Sequence, residues 1–169
     1  MGNPRARARA PRRIHGMPGW IIREARSGDE ADLAKLMATL WTEGNAEGHR
    51  GEAEMLIRTR MCGTQPGTVF VAEENEQLIG FIQAGLRSHA DGCDPAQPVG
   101  FIEGWFVRED SRERGIGRRL MQAAADWSRG MGCKEMASDA VLDNPGSHSA
   151  HTALGFDIVD RCVHFRKRI

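Results

Sequence analysis

The apolar and polar positions near the start of the chain predict a strand followed by an amphipathic helix. Residues 20–25 form a short apolar-rich stretch that is typical of a strand. Residues 27–30 then have the S-x-x-E form of a capping box, which predicts that a helix begins there. Five apolar residues follow at helical spacing and share one face: Leu33, Leu36, Met37, Leu40 and Trp41. We expect this helix to end near Gly44 and a weaker helix to cover about residues 52–61.

The rest of the chain has the pattern of a mixed α+β domain. Residues 68–73 and 77–87 are rich in β-forming residues and are joined by Glu74-Asn75-Glu76, which predicts an antiparallel hairpin. The loop 89–98 that follows is polar. The further expected elements are a strand at 101–107, a helix at about 115–129, a strand at 134–139, a short helix at 147–154 and extended structure from Phe156. No internal repeat is present, so we expect one domain.

Length and composition are consistent with a single folded unit. The chain has 169 residues, of which 40% are hydrophobic, and this is enough to form a core. Its apolar stretches are far too short to cross a bilayer, so no transmembrane segment is expected. The cysteines are widely spaced, without a CxxC pair or a His/Cys cluster: Cys62, Cys93, Cys133 and Cys162. We therefore expect reduced thiols, a cytoplasmic location and no metal.

The first nineteen residues differ in charge from the rest of the chain. They contain five arginines and no acid, and they lack the apolar core of a secretory signal. We expect residues 1–19 to be a disordered basic extension and residues 20–169 to form the domain. Because the whole chain has 23 basic and 23 acidic residues, the domain carries an excess of five acids. An acidic surface disfavours nucleic acid and attracts cations, although improved solubility explains the charge equally well.

A glycine-containing loop follows the strand at 101–107 and leads into the next helix. Residues 112–117, Arg-Glu-Arg-Gly-Ile-Gly, have the form R-x-x-G-x-G. Glycines allow backbone N–H groups to approach a pyrophosphate, and the N-terminus of the helix adds a favourable partial charge. Arg112, Arg118 and Arg119 add positive charge. The loop alone is weak evidence, because a structural glycine turn has the same form. It lacks the GK[ST] ending of a nucleotide-binding P-loop.

In this position the loop resembles the signature [RQ]-x-x-G-x-[GA] of the GCN5-related N-acetyltransferases (GNAT). In that family the loop follows the fourth strand and wraps the pyrophosphate of coenzyme A. A second family signature is an Asn about seven residues before a Tyr that lies near a terminal Gly-Phe. It corresponds here to Asn144, His151 and Gly155-Phe156. The resemblance spans residues 20–169. It implies a mixed, mostly antiparallel twisted sheet flanked by helices, with splayed fourth and fifth strands.

The resemblance also implies acetyl-CoA as the donor, no metal and a homodimer. The donor site would comprise the strand backbone that pairs with pantetheine and the loop that holds pyrophosphate. The implied residues are Trp105, Phe106, Val107, Arg112, Gly115, Ile116, Gly117, Arg118 and Asn144. For the side chains at 105–107, a core-strand role is the simpler interpretation.

The chain departs from the family at the residue that often protonates the departing thiolate. It contains no tyrosine, and His151 occupies the matching position. Imidazole exchanges a proton near neutral pH, so His151 is a candidate general acid. The alternative is a helix histidine with satisfied hydrogen bonds, because coenzyme A thiolate leaves without a dedicated acid in some acetyltransferases.

Two acids are candidates for the acceptor site. Glu103 lies in an apolar strand, two residues before the backbone assigned to pantetheine, and can take the proton of an attacking amine. Asp139, at the end of the fifth predicted strand, is the second candidate. A turn cap toward Asp143 and Asn144 is its structural alternative.

Several segments resemble aminoglycoside 6′-N-acetyltransferases, which are antibiotic-resistance enzymes. These segments are residues 92–94, 101–104, 135–139, 153–156 and 165–168. The resemblance implies an aminoglycoside pocket lined by Trp41, Glu103 and Asp139, with Asp94 as a further acid. Trp41 also fits the buried stripe of the first helix. Two other functions stay open: acetylation of another small amine or a protein N-terminus, and a non-catalytic acyl-CoA-binding regulator.

Overall fold

The computed structural model describes residues 19–41 and 45–169. Most of the predicted basic extension and the predicted helix end at Gly44 lie outside these ranges. The strands are β1 Trp20–Glu24, β2 Met61–Cys62, β3 Gln65–Glu74, β4 Gln77–Arg87, β5 Val99–Val107 and β6 Glu135–Ser138. The helices are α1 Glu30–Leu40, α2 Ala46–Thr59, α3 Ile116–Gly130 and α4 Pro145–Thr152, and a 3₁₀ turn covers Glu109–Ser111. No helix within the described ranges is both long and apolar enough to cross a membrane.

The strands form a mixed sheet in the order β1-β3-β4-β5-β6, and the short β2 pairs with β3. Every pairing is antiparallel except that of β5 with β6, which is parallel. Helices cover both faces of the sheet. This confirms the predicted mixed, mostly antiparallel sheet flanked by helices. The fourth and fifth predicted strands correspond to β5 and β6. The numbering shifts by one because β2 has only two residues, too few to show the alternating pattern of a strand in the sequence.

A separate apolar cluster lies on each face of the sheet. One is formed by α3 residues such as Ile116 and Leu120, which pack against Ile82 and Ile102. The other is formed by α1 and α2, where Leu33 and Leu56 belong to a cluster with strand residues such as Phe81. Alternate residues of β5 therefore face different helices: Trp105 packs in the α3 cluster and Phe106 in the α1 and α2 cluster.

The start of α1 differs from the prediction. Asp29, not Ser27, is the N-cap residue, and its carboxylate accepts hydrogen bonds from the Arg26 N–H and from the Arg23 guanidinium. Glu30 accepts from the Gly28 N–H. The predicted capping box is therefore wrong, because the Arg23 side chain on β1 provides a stronger, charged partner for the acid that follows Gly28.

The second helix is longer than predicted because of its cap. The Asn45 side chain accepts a hydrogen bond from the Gly48 N–H at 2.8 Å, and α2 begins at Ala46, six residues before the predicted start. The chain after α4 differs as well. Residues 156–169 have no regular secondary structure, and the β-rich ending pairs with no strand of the described chain.

Candidate active site

The sheet opens between β5 and β6. Their parallel pairing runs from Val99 with Glu135 to Ile102 with Ser138, where β6 ends. β5 continues to Val107 and remains paired with β4 on its other side. The backbone from Glu103 to Val107 therefore has no neighbouring strand on the β6 side in the described chain. Its amide groups can pair with an extended, amide-bearing ligand.

The N-terminus of α3 lies next to this opening and is unusual among the helices. α1 has two acids in its first turn, and α2 has both a side-chain cap and an acid. α3 has no side-chain cap and no acid there, and its first turn contains Arg118 and Arg119. Positive residues at a helix N-terminus oppose the helix dipole unless an anion binds there. The free N–H groups and the arginines together fit a phosphate group.

The two loop glycines serve different purposes. Gly115 has a φ of +79°, and a Cβ placed on it would meet nothing within 4 Å, so the backbone conformation is what requires glycine. Gly117 lies against a side chain, because a Cβ there would lie 2.9 Å from Trp105 Cζ2. Arg112 donates from Nε to the Val107 carbonyl at 3.0 Å and so connects the loop to the end of β5. Ile116 is buried in the core.

His151 is held by both ring nitrogens. Nδ1 lies 2.8 Å from the Ser147 carbonyl oxygen, which only accepts, so this nitrogen carries the proton. Nε2 is 3.0 Å from Ser138 Oγ and accepts from that hydroxyl in the neutral ring. The imidazole also packs edge-on against Trp105 and Phe156, with both ring-centroid distances 5.3 Å. This environment matches the satisfied helix histidine that the sequence left open.

Glu103 lies in a β-bulge. Gly104 pairs with Gln83 and Ile102 with Ala84, so Glu103 is the extra residue of β5. Its carboxylate forms a two-point ion pair with the Arg87 guanidinium, with distances of 3.2 Å from Nε to Oε1 and 2.7 Å from Nη2 to Oε2. Glu103 therefore has a charged partner in the structure, and sequence reasoning did not identify Arg87. Only its position at the end of an apolar strand could have drawn attention to it.

Two more side chains beside Glu103 were missed. The Cys62 thiol on β2 accepts a weak hydrogen bond from Gln83 Nε2 at 3.6 Å. Burial raises the pKa of the Cys62 thiol above its ordinary value; the Gln83 hydrogen bond opposes this shift and the negative charge of Glu103 adds to it. A two-residue strand leaves no signal in the hydrophobic pattern that could have placed this cysteine near the carboxylate.

Trp41, the predicted wall of the acceptor pocket, packs against the sheet beside β5. It follows α1, and its indole covers Gly104, so a Cβ on that glycine would lie 2.5 Å from Trp41 Cζ2. Its ring also contacts Phe81 and His49, with centroid distances of 5.8 and 5.9 Å. Trp41 is thus both part of the core stripe and adjacent to the residue after Glu103.

The remaining predicted residues are Asp139, Asp94 and Asn144, and each has different surroundings. Asp139 is exposed and directly follows Ser138, the last residue of β6. Asp94 belongs to a turn: its carboxylate accepts from the Ala96 N–H and the Gln97 amide, and its own N–H donates to Glu135, at the opposite end of β6. Asn144 caps α4 through the Ser147 N–H at 3.0 Å. The described residues include no group of three or more His, Cys, Asp or Glu that could hold a metal ion.

The N-terminus of α3, the free backbone edge of β5 and the carboxylate in the bulge of that strand together form the candidate acyltransferase site. The model of the acetyltransferase (GNAT) family matches residues 33–156, and the chain belongs to this family.

The relatives of this chain include several aminoglycoside acetyltransferases. The aminoglycoside N(6′)-acetyltransferase type 1 of Klebsiella aerogenes is 35% identical over 147 residues, which cover 87% of this chain and 95% of the relative. That of Acinetobacter baumannii is 40% identical over 139 residues, with coverages of 82% and 92%. The structure of AAC(6′)-Iy in complex with CoA is similar with a TM-score of 0.81 at 30% identity, covering 92% of this chain and 99% of that one. AAC(6′)-Iy with the bisubstrate analogue CoA-S-monomethyl-acetylneamine has a TM-score of 0.78 at 32% identity, with coverages of 89% and 99%.

Proposed function

We propose that this protein transfers the acetyl group of acetyl-CoA to the 6′-amine of aminoglycoside antibiotics and so confers resistance to them. The observation that carries the proposal is the position of Glu103. It lies where the paired part of β5 meets the open part, so one strand presents a carboxylate to an amine and a free backbone edge to the donor. The family and the named relatives support the same reaction.

The donor is assigned to the open edge of β5 and the start of α3. The backbone of Trp105, Phe106 and Val107 would pair with the pantetheine arm. The N–H groups from Gly115 to Arg118 would bind the pyrophosphate, aided by the charges of Arg112 and Arg118. Asn144 would contribute by fixing the start of α4, since its side chain is engaged in the cap.

The reaction requires a neutral amine. Glu103, directly or through a water, takes a proton from the substrate ammonium. The amine nitrogen then attacks the thioester carbonyl carbon, a C–N bond forms, the C–S bond breaks and coenzyme A leaves as a thiolate. The nitrogen loses its second proton to solvent, and the thiolate takes up one proton to become the thiol. His151 is the candidate donor of this last proton in its imidazolium form, because Nε2 of the neutral ring accepts from Ser138 Oγ and carries no proton.

Acidic and aromatic groups would hold the antibiotic. Aminoglycosides are polycations, so the carboxylates of Glu103 and Asp139 attract them, and Trp41 offers an apolar wall. Asp94 is the weakest of the proposed contacts, because its carboxylate is used within its own turn and lies toward the far end of β6.

A thiol-release assay tests the proposal. Purified protein with acetyl-CoA and kanamycin should release coenzyme A thiol, and mass spectrometry of the product should place the acetyl group on the 6′-amine. Tobramycin should also react, whereas spermidine and a peptide with a free N-terminus should react far more slowly. Turnover of spermidine or the peptide without turnover of either antibiotic would contradict the proposed substrate.

We further propose a cytoplasmic homodimer. The support is the surface of residues 157–169, where apolar side chains are exposed in the single chain: Ile158, Val159, Val163, Phe165 and Ile169. An extended, β-rich segment of this kind gains hydrogen bonds and burial by packing on a second copy. The basic extension at residues 1–19 is proposed to be an appendage that is not needed for turnover.

A further inference from the structure

The ion pair between Arg87 and Glu103 occupies the acceptor side of the proposed site. Both Glu103 oxygens receive a hydrogen bond from the guanidinium, so the carboxylate is paired in the free enzyme. The same guanidinium lies over the Phe101 ring, with Cζ 3.3 Å from the ring centroid. A positive group is thus already present where the proposed reaction brings the ammonium of the antibiotic.

The Arg87 side chain is held less firmly in the free enzyme than the Glu103 side chain. It is the last residue of β4, and 43% of its side chain is exposed, whereas 22% of Glu103 is exposed. Its cation–π contact contributes little at a partly exposed position, and its two-point ion pair with Glu103 is the contact that the ligand would have to replace. Glu103, by contrast, is fixed by the bulge of a central strand. If the pair opens, the arginine moves and the carboxylate stays.

We propose that Arg87 is an internal cation that holds the acceptor position on Glu103 in the free enzyme and is displaced by the ammonium of the bound antibiotic. The inference rests on the proposed function of Glu103 in the acceptor site. Displacement makes Arg87 a specificity residue. A cationic amine can take the place of the Arg87 guanidinium on Glu103, whereas an uncharged acceptor cannot and leaves the Arg87–Glu103 ion pair intact.

The exchange has a signature in salt dependence. In the wild type, binding creates one ion pair and breaks another, so the two screening effects largely cancel at Glu103. Without the Arg87 charge, binding only creates an ion pair, and added salt weakens it directly. Removing the charge should therefore tighten binding at low salt and make that binding more sensitive to salt.

Calorimetry of kanamycin binding to the complex with coenzyme A tests this without turnover. Arg87→Gln should lower the Kd about threefold to tenfold at low salt and steepen its increase with salt. Arg87→Lys, which keeps the charge, should remain close to wild type. Arg129→Gln is the matched control, because it breaks the exposed ion pair with Asp126 on α3 and should leave the Kd unchanged.

The Glu103→Gln background identifies the site of the effect. In that background, Arg87→Gln should no longer tighten binding. An unchanged or higher Kd for Arg87→Gln in otherwise wild-type protein would overturn the proposal and would indicate that Arg87 positions Glu103. Tightening that persists in the Glu103→Gln background would overturn it too. Failure of the wild type to acetylate kanamycin in the thiol-release assay would count against the proposed function alone, because the calorimetric comparison does not depend on turnover.

Discussion

The two acids proposed for the acceptor site have different surroundings. Glu103 is largely buried in a β-bulge and fixed by its strand, whereas Asp139 is exposed in the chain that follows β6. Catalysis of proton transfer requires a group held in position, while attraction of a polycation requires only charge near its path. We therefore propose proton transfer as the role of Glu103 and binding of the antibiotic as the role of Asp139.

This assignment predicts separable kinetic effects. Glu103→Gln should lower kcat by about a hundredfold to ten-thousandfold. Asp139→Asn should raise the KM for the antibiotic by about fivefold or less, because the carboxylate is exposed. Steady-state kinetics with kanamycin measure both, and acetyl-CoA affinity serves as the control that should not change. Equal effects of the two substitutions on kcat would contradict the division of roles.

His151 is expected to contribute little to the rate. Its ring nitrogens are both bonded within the protein, and a thiol leaving group gains less from an acid than a poorer one. His151→Gln should therefore lower kcat by less than about tenfold. Ser138→Ala, which removes only the Nε2 partner, is the companion variant and should have a smaller effect. A loss of about ten-thousandfold in a folded His151→Gln protein would make His151 the general acid.

At the scale of residues, the sequence located the carboxylate but not its partner. Glu103 stood out because an acid in an apolar strand needs an explanation, and this argument depends only on neighbouring residues. Arg87 is sixteen residues away, and the register of β4 on β5, including the bulge, decides that the two side chains meet. No local pattern contains that register, so the ion pair could not be predicted.

At the scale of elements, the strand-loop-helix unit from β5 to α3 was predictable because its signals are local. Apolar runs define β5, glycines and arginines define the loop, and helical spacing defines α3. The N-cap of α1 was not predictable in this way. Asp29 occupies that position and accepts a hydrogen bond from Arg23, which lies on β1. The sequence contains the candidates for a cap, but the tertiary structure selects among them.

The two loop glycines should respond differently to substitution. Gly115→Ala places a side chain in open space on a backbone with positive φ, so it should weaken acetyl-CoA binding by shifting the N–H groups. Gly117→Ala pushes against Trp105 and should also change tryptophan fluorescence. Gly51→Ala, in an open position on α2, is the control and should leave acetyl-CoA affinity unchanged. Calorimetry with unchanged affinity for both loop variants would show that the phosphates bind elsewhere.

The ion pairs at the start of α1 predict a pH-dependent stability. Burial opposes ionisation of Asp29, but its bonds with Arg23 and the Arg26 N–H outweigh burial and lower its pKa. A lowered pKa in the folded state means that this stabilisation is complete above the ordinary value of 3.8 and is lost as the pH falls below it.

Asp29→Asn should therefore reduce the free energy of unfolding by about 1–3 kcal/mol at pH 7. The difference from wild type should shrink in acid. Asp32→Asn, which breaks an exposed pair with Lys35 on the same helix, should cost about 1 kcal/mol or less. Urea unfolding at pH 7 and at lower pH measures both. Equal costs for the two substitutions would show that the Asp29 cluster is not a special anchor of α1.

At the scale of the whole molecule, residues 157–169 expose apolar side chains in the single chain. Val163 and Phe165 are 65% and 94% exposed in a segment of β-forming residues that pairs with no strand of the described residues. Burial of such side chains stabilises a dimer, whereas a charge among them would have to be desolvated without a partner.

Light scattering should find a dimer for the wild type and mainly a monomer for Val163→Asp and Phe165→Asp. Met55→Asp is the matched control: this methionine is 53% exposed on α2, outside the segment of residues 157–169, and its variant should stay dimeric. A wild-type monomer would contradict the dimer itself. A dimer that persists in both segment variants would place the interface on another surface, and the exposed apolar side chains of residues 157–169 would then need a different explanation.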